Sequence, residues 1–123
     1  MTENSQETQE LIDRVSLLQR VEGDQELLTE MVQIFMEEAP GLMNVMRGAL
    51  QSGDMLVLER SAHSLKGAVS NLSCKSAANA ALKLERDAKE QNPQSAKESF
   101  AAVEGIMKLL LPALSELCQG VSR

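Results

Sequence analysis

An all-α chain, folded as an up-down-up-down four-helix bundle with an additional short N-terminal helix, is the architecture this sequence predicts. Apolar residues recur at three- and four-residue steps along most of its 123 residues, and the strict alternation of a half-buried strand is weak everywhere. The long periodic stretches are separated only by short breaks, and short connections between helices make neighbours antiparallel.

Residues 1–8 are polar and read as a flexible N-terminal segment, so the bundle domain is expected over residues 9–119. A first short helix is expected from Gln9 to Leu18, with Leu11, Val15 and Leu18 on one face. Gly23-Asp24 interrupts it, and Asp24 is a suitable cap for a helix carrying Leu27, Leu28, Met31, Phe35 and Met36. Pro40-Gly41 should break or kink that helix, because proline removes an amide donor and crowds the preceding turn. The pattern resumes through Leu42, Met46, Ala49 and Leu50, and Ser52-Gly53-Asp54 closes it and caps the next helix. That third helix should run from Asp54 to Leu72 and a fourth from Lys75 to Glu90. Asn92-Pro93 places proline at a helix start. The last helix carries Phe100, Val103, Met107, Leu110, Leu114 and Leu117 in a coiled-coil-like seam, with Pro112 expected to kink or loosen it.

Composition excludes several classes of function. The longest apolar runs, such as Met55 to Leu58, fall far short of the about 20 residues of a membrane span. The first residues show neither a basic nor an apolar signal region, so the expected location is cytoplasmic. Net charge is −6, against nucleic acid as partner. Residues 1–54 hold 11 acidic and 3 basic side chains, residues 55–123 hold 7 and 9, which makes the second half the surface for an acidic partner. With two Phe and no Trp or Tyr there is no stacking platform for bases. Cys74 and Cys118 read as buried thiols, and one histidine with two distant cysteines supplies no metal site. Phosphate-loop, GxSxG and HExxH signatures are missing, and Met31, Met46 and Met107 fall on apolar stripes as core filling.

His63 is the exception. At about 100° per residue, Leu58, Ala62, Leu65, Val69 and Leu72 form one buried stripe, and His63 points well away from it toward solvent. Glu59, Lys66, Gly67 and Ser70 share its side. A helical glycine costs about 1 kcal/mol relative to alanine, and Gly67 leaves a bare patch one turn from the imidazole. Lys66 can bring an ammonium beside the same ring. A nucleophilic nitrogen, an adjacent cation and an open approach suit a histidine that accepts a phosphoryl group; an ordinary exposed histidine beside a tolerated glycine is the competing reading.

The segment Ala62-His63-Ser64-Leu65-Lys66-Gly67-Ala68, followed by Asn71-Leu72, resembles the signature of histidine-containing phosphotransfer (HPt) domains of bacterial phosphorelays. Leu27-Leu28, Phe35, Ala49-Leu50, Asp54, Leu84-Glu85 and Ala88 extend the resemblance across about residues 11–117. It implies that His63 accepts a phosphoryl group through Nε2 from the aspartyl phosphate of a response-regulator receiver domain and passes it to another receiver. Lys66 would lie beside the phosphoryl oxygens, Gly67 would clear space for the partner, and Glu85 could orient the ring through Nδ1. The receiver would supply Mg²⁺, so the chain needs no cofactor of its own. Without an ATP-binding module it would be a carrier rather than an enzyme.

The docking surface would draw on Glu59, Arg60, Ser64, Ser70, Asn71, Lys83 and Arg86, with Arg60, Lys66, Lys83 and Arg86 facing a receiver's acidic pocket. A monomer is expected, free-standing or as the end of a hybrid sensor histidine kinase, with no insertion in a membrane. Two other readings stay open. One is the phosphotransfer domain of a chemotaxis kinase, which carries a similar AHSxKG segment and is phosphorylated by a separate ATP-binding domain. The other is a helical adaptor without phosphoryl chemistry. Ser73 departs from the resemblance: many relatives carry glycine there, which puts the cap of the His63 helix in question.

Overall fold

Four of the five described helix starts are set by short polar side chains that accept the first orphaned amides, the start at Lys75 being the exception. Asp13 accepts from the Ser16 amide (3.1 Å) and hydroxyl (2.8 Å), Asp24 from the Leu27 amide (3.1 Å) and Asp54 from the Val57 amide (3.1 Å). Asn92 does the same for the Ser95 amide at 3.2 Å, just before Pro93 opens its helix. The computed structural model describes residues 11–121, with side chains up to Cys118. Its helices are α1 (Arg14–Arg20), α2 (Gln25–Ser52), α3 (Met55–Asn71), α4 (Lys75–Lys89) and α5 (Pro93–Val121). No strand occurs among the described residues.

The four long helices close into a bundle in which α2 packs on α3 and α5, and α4 packs on α3 and α5. The stripe expected on α3 is the buried one: Leu58, Ala62, Leu65 and Val69 are fully enclosed, with Leu72 beneath them. Around them lie Leu28, Phe35 and Met46 of α2 and Phe100, Met107 and Leu114 of α5. The fourth wall is mostly alanine, with Ala77, Ala81 and Ala88 around Leu84. Such small side chains let α4 approach α3 closely, and that approach sets one side of the functional site.

Several sequence expectations are corrected. The short helix is Arg14–Arg20, and its buried anchors are Ile12, Leu17 and Val21. Val15 and Leu18, expected inward, are 69% and 44% exposed, because the Asp13 cap starts the helix late and rotates its face. Neither proline breaks its helix: α2 runs on through Pro40 and α5 through Pro112. Both prolines are exposed, while buried residues on either side of each continue the packing. Met31 and Cys118 are only half-buried, in contrast to Met46, Met107 and Cys74. Burial pushes the Cys74 thiol up to about 12. The segment 1–8 and the expected start at Gln9 lie outside the described residues.

The α3–α4 corner shows what the departure at Ser73 means. Ser73 has φ +58°, the left-handed conformation that favours glycine. The turn closes through the Cys74 amide on the Val69 carbonyl (3.0 Å), and the Asp13 amide donates to the Ser73 carbonyl (2.9 Å). Serine therefore holds a glycine conformation at a residue that is almost wholly buried.

A histidine, a lysine and a shared carboxylate: the candidate functional site

The middle of α3 carries His63 with its side chain 66% exposed, above the buried Ala62 and Leu65 that lock the helix beneath it. From the neighbouring α4, Glu85 brings Oε2 to 3.1 Å from His63 Nδ1. An ionised carboxylate only accepts, so this contact requires the proton on Nδ1. In the neutral ring the lone pair is then on Nε2, the nitrogen expected to be the acceptor. The other oxygen of Glu85, Oε1, is 2.9 Å from Lys66 Nζ. The Lys66 ammonium beside it is the main reason the Glu85 carboxyl is held below its ordinary range, with His63 adding to the effect and burial opposing it. One carboxylate thus serves both side chains.

Gly67 lies one turn along on the exposed face. A β-carbon placed there would meet nothing within 4 Å, so packing inside this chain does not demand glycine. The space it leaves is open to whatever approaches the ring.

The remaining sequence-derived residues separate by helix and by face. Glu59, Arg60, Ser64, Ser70 and Asn71 all lie on α3, Arg60, Ser64 and Asn71 being exposed and the other two half-buried. Arg86 is exposed beside Glu85. Lys83 is turned elsewhere: its Nζ is 3.1 Å from Asp87 Oδ2 and 3.3 Å from Ser99 Oγ, on the seam between α4 and α5. Ser99 also donates to Asp87, whose carboxyl is lowered chiefly by that bond. Two residues before Glu85 is about 200° around a helix, which is why Lys83 cannot share its face.

On the opposite flank of His63 is a feature the sequence reading did not single out. A groove of about 740 Å³ runs between α2 and α3, with Met31, Ile34, Leu42 and Val45 on one wall and Ser64 and Ala68 on the other. Ile34 and Val45 are 55% and 48% exposed, and Glu37 and Glu38 line the same groove. Their signal was present: both apolar residues lie off the α2 stripe of Leu28, Val32, Phe35, Ala39 and Met46. The exposed imidazole therefore has an ion-paired side toward α4 and an apolar side toward α2.

No curated protein and no solved structure gives a significant match to the chain. The Hpt domain family matches it over residues 30–122, from the second turn of α2 through the end of α5, and this span includes His63, Lys66, Gly67, Glu85 and the bundle that holds them. The chain belongs to the Hpt domain family, the helical phosphotransfer modules of two-component signalling.

Proposed function

We propose that the protein is a phosphorelay carrier: His63 takes a phosphoryl group from the aspartyl phosphate of one receiver domain and delivers it to the aspartate of another. The observation that carries this reading is an exposed imidazole whose Nδ1 is held by Glu85 at 3.1 Å, with Lys66 on the same carboxylate and Gly67 leaving the approach open.

In the forward step the Nε2 lone pair attacks phosphorus in line, the N–P bond forms, and the P–O bond to the receiver's aspartate breaks with its electrons returning to that carboxylate. Phosphoryl transfer depends mainly on positioning and on neutralising charge over the equatorial oxygens. Lys66 supplies one cation from this side, and the receiver brings Mg²⁺ and the other groups. The chain contributes a rigid, pre-oriented nucleophile and acts as a carrier, not as an autonomous kinase. Receiver docking uses the α2–α3 groove, where Ile34 and Val45 provide apolar area and Ser64, the residue after His63, lines the wall. Arg60 and Arg86 provide positive charge toward an acidic pocket. The expected setting is cytoplasmic and the expected state monomeric; no described helix is long and apolar enough to cross a membrane.

The test is a relay assay. A receiver labelled on aspartate, Mg²⁺, the protein and a second receiver are combined. Label should reach the second receiver only with the wild-type protein present, and Lys66→Ala should slow its passage. Transfer that proceeds as fast without the protein would refute the carrier role.

A further inference from the structure

In the resting site Lys66 is not free. Its ammonium is 2.9 Å from Glu85 Oε1 and is only 28% exposed, so the cation assigned to the phosphoryl group is held by a carboxylate that also holds the ring. The chemistry of the transfer makes this arrangement consequential. A neutral ring protonated on Nδ1 that attacks through Nε2 becomes an N-phosphorylated imidazolium, so positive charge develops on the ring while a dianionic group arrives beside Lys66. A carboxylate compensated by lysine stabilises that developing charge poorly; an uncompensated one stabilises it well.

We infer that Glu85 is a positioning residue whose two oxygens are reallocated during transfer: Lys66 leaves Oε1 for the incoming phosphoryl oxygens, and the carboxylate charge passes to the Nδ1–H side of the ring. The inference rests on the phosphotransfer reading and adds to it a direction of coupling. The phosphoryl group itself withdraws the lysine, and this withdrawal strengthens the support of the ring cation. Nothing is consumed; one ion pair is exchanged for two, Lys66 with phosphoryl and Glu85 with imidazolium. The same exchange keeps the ring protonated on Nδ1, the form in which imidazole is the better leaving group for delivery to the next aspartate.

Other charges border the site: Glu59 and Arg60 on α3, Arg86 on α4, and Glu37 and Glu38 in the groove on the α2 side. Among the described residues Glu85 is the ion-pair partner of the ring. The exchange is local for that reason.

The test measures the proton affinity of the His63 ring by NMR, before and after phosphorylation by a receiver phosphate with Mg²⁺. In the resting protein Lys66 masks Glu85, so Glu85→Gln should lower the affinity little. After phosphorylation the same variant should lower it by about tenfold more, since an opposite charge at this range is worth about one pKa unit or more. Lys66→Met gives the converse in the resting protein: it unmasks Glu85 and should raise the ring's affinity by about tenfold. Equal effects of Glu85→Gln in both states, or no change with Lys66→Met, would overturn the exchange while leaving the carrier role intact. Absence of phosphoryl label on His63 would remove the carrier reading and the exchange with it.

Discussion

The contact between Glu85 and its two partners has a consequence for stability as well as for chemistry. Its carboxyl is lowered by the Lys66 ammonium first and by His63 in addition, so the folded protein holds that proton less tightly than the unfolded chain. The pair therefore stabilises the fold above the ordinary glutamate range, and the benefit disappears as pH falls through that range toward the lower folded value. Urea unfolding of wild type and Glu85→Gln should show a stability gap near about pH 6 that closes toward about pH 3. A gap of constant size would mean that the charge of Glu85 is not what stabilises. Ser73 gives a second residue-scale prediction. With φ +58° it occupies a conformation that disfavours side chains, and its buried hydroxyl has no hydrogen-bond partner among the described residues. Ser73→Gly should stabilise the bundle by about 1 kcal/mol in denaturant titration, and a loss of stability would show that the hydroxyl contributes more than the strain costs.

Element by element, α3 divides its two faces between folding and function, and Gly67 shows the division. Because a β-carbon there meets nothing, Gly67→Ala should raise stability by about 1 kcal/mol through helix propensity alone. Gly67→Gln should leave the fold intact yet slow transfer strongly, since its side chain would project from the face a receiver must approach. Wild-type transfer by Gly67→Gln would show that the bare patch has no role in access. On α2, Ile34→Asp places a charge in the groove and should weaken receiver binding by tenfold or more, given about 1.5–3 kcal/mol for burying such a side chain. Unchanged affinity would remove the groove from the docking surface. These faces differ in how far a sequence discloses them. The α3 stripe and the caps at Asp24 and Asp54 are local properties, set by residues within one or two turns, and they were legible. The face of α1 was not, because the Asp13 cap fixed a start that left Val15 and Leu18 outside. Lys83 and the groove were not either, since each depends on which helix lies alongside: Lys83 meets Ser99 across α4 and α5, and Ile34 of α2 lines the same groove as Ala68 of α3.

At the scale of the whole molecule, one core shared by four helices makes the site as rigid as the fold. Leu65 is fully enclosed two residues after His63, and Leu65→Ala should cost about 2–5 kcal/mol. The prolines inside α2 and α5 do not divide the bundle, because the packed residues on both sides of each belong to the same core. Rigidity suits a carrier, whose imidazole must present the same geometry to a donor and to an acceptor. The central claim is that this imidazole carries the phosphoryl group, and the most direct measurement incubates wild type and His63→Gln with a phosphorylated receiver and Mg²⁺. An acid-labile, alkali-stable label on wild type alone is the predicted result. Equal labelling of His63→Gln, or a label that survives acid, would contradict the account.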